Sequence, residues 1–532
     1  MENLKGTRSV GGAFGVNHLK NDSLELKPSP DNVTFNMFNN ASINSETSFN
    51  RNMFKFEQPD TAVQPFGDNV FETPKKEFKT FRPAKLNLQP AESSMSEYMP
   101  LFASGPFRNT SGGRHSLPLW AIDEAGELKT DITIDEVITN KAVIQFAVDK
   151  AGCHFLQENY PTDALSPTRA TLFTEVTEGR EKLMSLCLDL FGNFFIQRIV
   201  ECSTSDEQDI LAKQLSRDVY RLCLDKCACR VIQMSIQKMK TSHVVTLLKD
   251  LPKTEVARLC TDQNGNHVIQ KLVKQLPIAA WQFLVDYLSE EDDQLISVCE
   301  DKYGCRVVQS VIEKLSDNHR SSCYQQRLAL LHKLMETVVR NCSTLSYNES
   351  ANYVVQHVIK AGGIMEPYRD TIIQKYLLCN LLSMSQEKYA SHVVEGAFLF
   401  APPHLLHEMM DEVFDGYLPH PETKRDALDI LLFHQFGNYI IQQMINICCS
   451  AILGQKERKL DEKEIQVYMT WLNRIKSRVQ RNAARLERFS SGKKIMETLR
   501  TMDARYLAMV EICKFSPIKN GPRTSAYSVF EE

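Results

Sequence analysis

From Leu117 onward apolar residues recur at helical spacing, and one short pattern returns along the chain. It is a small residue followed by five positions: polar, then flat or basic, then two apolar, then Gln or Glu. The copies are AGCHFLQ (151–157), FGNFFIQ (191–197), CACRVIQ (227–233), NGNHVIQ (264–270), YGCRVVQ (303–309), SANYVVQ (350–356), YASHVVE (389–395) and FGNYIIQ (436–442). Each follows a polar break at Asp149, Asp189, Asp225, Asp262, Asp301, Asn348, Glu387 or His434, and an apolar helical run precedes the break, as in VYRLCLD (219–225) and VARLCTD (256–262). The pattern predicts eight units of helix, break and helix, with starts 36 to 47 residues apart. Units of this length bury one face only against their neighbours, so the expected fold is all-α, a curved α-solenoid with one concave surface. A Gly or Ala before every pentad fits a helix start that abuts another backbone.

The spacing widens twice, around SDNHRSSCYQQ (316–326) and FDGYLPHPETKRDA (414–427), and both polar stretches are expected as surface loops between units. Helical texture continues to about residue 512. Arg474, Lys476, Arg478, Arg481, Arg485 and Arg488 make this end basic, either as a solvated face or as a site near phosphate. Residues 1–116 are rich in Asn, Ser, Pro and Gly, with Phe35, Phe38, Phe49, Phe54 and Phe56 following no period. Such sequence buries too little apolar surface to offset chain entropy of roughly 1 to 2 kcal/mol per residue, so disorder is expected there. That region is either a solubilising tail or a carrier of Phe-bearing docking segments. The organisation is therefore a disordered region at 1–116, a repeat domain at 117–512 and a disordered tail at 513–532.

With 62 Lys and Arg against 66 Asp and Glu the formal charge is −4, so no global basic field draws in a polyanion and any such partner is met locally. No run of about 18 apolar residues and no secretory leader is found, which leads to the expectation of a cytoplasmic protein without membrane contact. The 15 cysteines lie along helical stretches without CxxC pairs, as buried small hydrophobes do. Cys223, Cys227 and Cys229 lack metal-ligand spacing and a histidine half-site, and neither metal nor cofactor is expected.

Positions one and five of a pentad lie one above the other on a helix. Asn193 with Gln197, Asn266 with Gln270, Asn352 with Gln356 and Asn438 with Gln442 therefore set two amides side by side. The remaining units pair Cys153 with Gln157, Cys229 with Gln233, Cys305 with Gln309 and Ser391 with Glu395. Position two holds His154, Phe194, Arg230, His267, Arg306, Tyr353, His392 and Tyr439. An ordinary solvated face drifts among Lys, Glu, Ser and Asp. Restriction in eight copies points instead to a repeated ligand with flat, edge-functional units, for which single-stranded RNA is the candidate.

These pentads resemble the PUF (Pumilio and FBF) family of RNA-binding proteins over about residues 117–510, and LPLWAIDEAGEL (117–128), FAVDKAGCHFL (146–156) and FDGYLPHP (414–421) are similar to its nematode germline branch. The resemblance implies a right-handed solenoid of eight repeats with flanking half-repeats, one repeat per base, running antiparallel to the RNA. It implies that Asn with Gln reads uracil, Cys or Ser with Gln adenine, and Ser with Glu guanine. A carboxylate accepts from both N1–H and the N2 amino group of guanine, as a glutamine cannot. Taken from last to first, the units spell 5'-UGUAUAUA-3', and the central repeats are where a degenerate base or one extra nucleotide fits. Stacking worth roughly 1 to 3 kcal/mol per base supports tight binding with few phosphate contacts. The resemblance further implies a monomer on mRNA 3' untranslated regions that recruits repressors such as a deadenylase complex, and a germline role; by analogy the loop around Tyr417 is either a partner-docking site or a passive linker. A peptide-binding solenoid does not require the flat second residue or the restricted fifth. An enzyme is opposed by the lack of HExxH, GxSxG or Walker patterns. Nucleolar relatives of the family usually depart from the code kept here in every unit.

Overall fold

The computed structural model describes residues 117–317, 323–455 and 460–515, and the regular elements among them are all helical, with one isolated bridge between Ile122 and Leu128. The segments expected to be disordered lie almost wholly outside the described residues, although the last helix, Ser490–Phe515, runs past the expected end of the domain. Among the described residues no single helix is long and apolar enough to cross a membrane.

Each unit has three helices where the pattern predicted two. The second comprises Arg180–Leu188, Gly192–Cys202 and Ser205–Ser216; the third comprises Val219–Leu224, Ala228–Lys238 and Thr241–Leu248. The triplet recurs to the eighth unit, Ala427–Phe433, Gly437–Ile452 and Glu462–Arg481. Pentad helices pack each on the next along the whole row, from Lys150–Asn159 to Gly437–Ile452, while third helices such as Ser205–Ser216 and Thr241–Leu248 pair in a separate row. The third helix carries only an amphipathic pattern, without fixed residues at fixed spacing, so the repeat pattern does not reveal it.

The polar break caps the pentad helix. Asp225 Oδ1 accepts from the backbone N–H of Cys227 and of Ala228, both at 2.8 Å, satisfying donors that a helix start leaves unpaired. Asp149, Asp189, Asp262, Asp301 and Asn348 do the same, and His434 does so through Nδ1 at 3.3 Å to Phe436 and Gly437. The expectation for the small residue holds: a Cβ on Gly304 would lie 2.1 Å from the carbonyl oxygen of Val298, on the preceding helix. A Cβ on Gly492 would meet Leu486 O at 2.2 Å. Residues 493–497 thus occupy a ninth, terminal pentad geometry, read as Lys-Lys-Ile-Met-Glu, which forms the C-terminal half-repeat.

Apolar positions three and four form the spine of the core. Val231, Ile232, Val307, Val308, Val354, Val355, Val393, Val394, Ile440 and Ile441 are fully buried, each side chain contributing about 1.5 to 3 kcal/mol relative to exposure. Units are also clamped by charge. Arg169, 1% exposed, donates to Glu207 and to the carbonyls of Cys202 and Thr162. Breaking such a buried pair by removing one partner costs about 3 to 5 kcal/mol.

Of the two stretches expected as loops, 416–426 joins Pro403–Asp415 to Ala427–Phe433 as a loop between units. In the other, helix resumes at Tyr324 and residues 318–322 lie outside the described residues. The basic end is largely neutralised from within: Arg474 pairs with Asp415, Arg478 with Asp426 and Asp429, Lys476 with Asp503, and Arg485 lies 4.0 Å from the Phe433 ring centroid. That arrangement favours the solvated structural face over a phosphate site.

Candidate nucleic-acid interface

The pentad helices set their first, second and fifth residues at graded depth. Position one is buried in every unit, position five is half-buried in every unit, and position two is exposed in six and half-buried at His392 and Tyr439. The depth order follows from the helix, since positions one and five share a face that tilts toward the neighbouring unit while position two turns about 100° away from position one.

In the Asn units the two amides do not stand side by side as free equals. Asn193 spends its N–H groups on the carbonyls of Asp189 and Leu190, both at 2.9 Å, and its Oδ1 accepts from Gln197 Nε2 at 3.0 Å. Asn352 and Asn438 repeat this arrangement, with Gln356 and Gln442 donating at 2.7 and 2.9 Å. Asn266 donates to Asp262 O at 2.7 Å and accepts from Gln270 at 3.0 Å. What remains for a ligand is one glutamine N–H, the glutamine carbonyl and a second Asn Oδ1 lone pair. One donor beside acceptors can meet a donor and one neighbouring acceptor on a base edge.

In the other four units the first residue is short. Cys229 and Cys305 Sγ each donate to a carbonyl, of Lys226 and Lys302, at 3.6 Å, and Ser391 Oγ donates to Lys388 O at 3.2 Å. Cys153 Sγ donates to Phe191 O at 3.1 Å, and Gln157 Nε2 lies 3.3 Å from that sulfur. Burial pushes the thiols of Cys153 and Cys229 up to about 11 and raises that of Cys305. All three are therefore neutral at physiological pH, presenting small uncharged contacts. Glu395 lies 3.9 Å from His392 Nδ1, with its side chain 23% exposed.

The position-two residues form a ladder of flat groups. Phe194 is 37% and Tyr353 57% exposed, unusual for rings on a packed face. Burial lowers the His267 pKa, and the guanidinium groups of Arg230 and Arg306 in the adjoining units lower it further. A neutral imidazole thus stands between two cations, a sequence of stacking platforms from three successive units.

Among the described residues no three His, Cys, Asp or Glu side chains are grouped to hold a metal; Cys223 and Cys229 are buried with raised thiol pKa values. Tyr417 is half-buried, accepting from Leu382 N at 3.0 Å and donating to Glu412, while the adjacent Leu418 is 95% exposed.

A model of the Pumilio-family RNA binding repeat matches residues 142–158, 182–216, 218–238, 255–289, 294–326, 341–374, 380–414 and 433–452. The chain is 53% identical over 388 residues to Pumilio domain-containing protein 5 of Caenorhabditis elegans, spanning 73% of this chain and 70% of that protein. The chain belongs to the Pumilio (PUF) family. Among its nematode relatives, Fem-3 mRNA-binding factor 1 of C. elegans is 43% identical over 406 residues, 74% of this chain and 66% of that one. The crystal structure of PUF-6 in complex with 5BE13 RNA superimposes with a TM-score of 0.66 at 50% identity, covering 70% of this chain and 100% of the other. The RNA-bound Puf3 domain shares the fold at 23% identity and a TM-score of 0.52. The PUF family is one of RNA-binding repeat proteins rather than enzymes, and the eight pentads of this chain fall inside its eight matched repeats.

Proposed function

We propose that this PUF protein binds single-stranded RNA in sequence, one base per repeat, through positions one and five of each pentad with position two as the stacking platform. The observation that carries the reading is the eightfold register: a buried first residue beneath a half-buried Gln or Glu, beside a flat or basic second residue, in every repeat. The pairs spell 5'-UGUAUAUA-3', with the guanine opposite Ser391 and Glu395. An RNA-bound relative at 50% identity and a relative named for binding an mRNA support RNA as the ligand.

The cellular role that fits is cytoplasmic post-transcriptional repression. The protein would act as a monomer on 3' untranslated regions, recruiting partners such as a deadenylase complex, with a germline setting and with the 416–426 segment around Tyr417 as the docking loop. Gel-shift competition between UGUAUAUA and UCUAUAUA tests the core reading, and equal competition rejects it. Selection of bound RNA from a random pool then fixes the number of nucleotides across the central repeats. A Tyr417→Ala variant that keeps both RNA binding and partner pull-down removes the docking residue.

A further inference from the structure

The residue immediately after each break is used by none of positions one, two and five, yet it alternates in step with them. It is Lys150, Lys226, Lys302 and Lys388 in the first, third, fifth and seventh repeats, and Leu190, Gln263, Glu349 and Gln435 in the others. The lysines fall on all four repeats whose first residue is Cys or Ser and on none whose first residue is Asn. In three of the four, all but Lys150, the backbone position is fixed by the reader itself. The carbonyls of Lys226, Lys302 and Lys388 accept the hydrogen bonds of Cys229, Cys305 and Ser391, so each lysine side chain leaves the backbone one hydrogen bond away from a base-reading atom.

All four side chains are exposed. Two are held on aromatic rings, Lys302 Nζ at 4.7 Å from the Tyr303 centroid and Lys388 Nζ at 4.9 Å from that of Tyr389, with a further 3.3 Å bond to the Tyr389 hydroxyl. Such a cation–π seat restrains the ammonium and keeps it beside the reading face. Position two reinforces the alternation, since Arg230, Arg306, His154 and His392 all belong to the lysine-bearing repeats.

We propose that Lys150, Lys226, Lys302 and Lys388 form a phosphate rail, one cation every second repeat, contacting the backbone phosphates beside the purine-reading repeats. The proposal rests on the reading that RNA occupies this face, and it adds a sequence-independent contact to it. A compact ammonium on a flexible stem suits phosphate as a point charge and lacks the fork that reads a base edge. A chain of formal charge −4 gains from cations placed only where the strand passes.

The test is fluorescence anisotropy of the full chain with labelled UGUAUAUA across a series of salt concentrations, comparing wild type with K150Q/K226Q/K302Q/K388Q. Each phosphate contact on a single strand contributes about 0.7 to the slope of log affinity against log salt, so the quadruple variant is expected to lose about 2.8 and a Leu190→Lys variant to gain about 0.7. The affinity ratio between UGUAUAUA and UCUAUAUA is expected to stay unchanged. Lys213→Gln and Lys333→Gln, on third helices and paired with Asp209 and Asp286, serve as controls for general charge. A quadruple variant whose slope falls no more than the controls' overturns the rail. So does a changed ratio at constant slope, which would make the lysines base contacts. If wild type itself fails to separate the two RNAs, the sequence code fails, and the slope comparison still decides the rail.

Discussion

The repeats divide into two kinds that share one backbone. In the second, fourth, sixth and eighth, a buried Asn is bonded to the carbonyls of the break and holds the fifth-position Gln at 2.7 to 3.0 Å. In the first, third, fifth and seventh, a Cys or Ser turns its hydrogen to a carbonyl, and the fifth-position side chain is held in no common way: Gln157 Nε2 donates to Cys153 O at 3.2 Å, Gln233 Nε2 is buried without a partner, and the seventh carries Glu395. In the proposed code the Asn repeats meet the pyrimidines. In the same code the short residues meet the purines, and the buried Gln233 Nε2 has no partner within the protein. In the Asn repeats the first side chain thus holds the fifth-position amide in place within the protein itself.

The seventh repeat tests the division hardest, because only there does a carboxylate replace the amide. Glu395→Gln converts it to the chemistry of the first, third and fifth repeats. The second base is expected to switch from G to A, with a loss of roughly 2 to 3 kcal/mol for the UGUA core, about 30- to 150-fold, as the charge-assisted acceptors are lost. Competition binding with RNAs carrying each base at that position measures it, and a variant that still prefers G removes Glu395 as the guanine reader. Crossing the division itself should cost somewhat less. Asn352→Cys rebuilds the sixth repeat on the pattern of the fifth, and preference at the third base is expected to move from U to A by about 1 to 2 kcal/mol, roughly 5- to 30-fold. Uniform weakening across all four bases would mean that Asn352 only supports the helix start.

Much of this face was legible because it repeats. The pentads, the small residue that lets Gly304 approach Val298 and the polar break that caps the next helix each recur at fixed offsets, so eight copies outvote any local ambiguity. What stayed hidden depends on partners without fixed spacing. The third helices carry only an amphipathic face. The commitment of Asn193 to Asp189 and Leu190 needs the geometry of the helix start. The ninth pentad at 493–497 was masked by two lysines where a reader and a platform stand elsewhere. Sequence alone left the basic C-terminal end open between a solvated face and a phosphate site because the carboxylates that neutralise Arg474 and Arg478 lie 59 and 52 residues away in sequence.

The smallest expected effect separates the eighth repeat from its neighbours through its cap. Asp225, Asp301 and Asn348 cap through a side-chain oxygen, whereas His434 caps through Nδ1, which accepts only in the neutral imidazole. Burial lowers its pKa below the ordinary 6.5, opposed by nearby Glu387, so the folded state disfavours the proton relative to the unfolded chain. Between the two pKa values the unfolded state binds more protons. The stability this cap contributes is therefore intact above about 6.5 and declines as pH falls from there toward the folded value. His267 and His357, also lowered mainly by burial, act with the same sign, so acid alone does not isolate the cap. The difference between wild type and His434→Asn does. An N-cap is worth about 1 kcal/mol, and the asparagine variant should melt within about that margin of wild type at pH 7.5 and gain on it by a few tenths of a kcal/mol at pH 5.5. Parallel pH dependence in the two proteins would show that the eighth repeat is capped by something other than this ring.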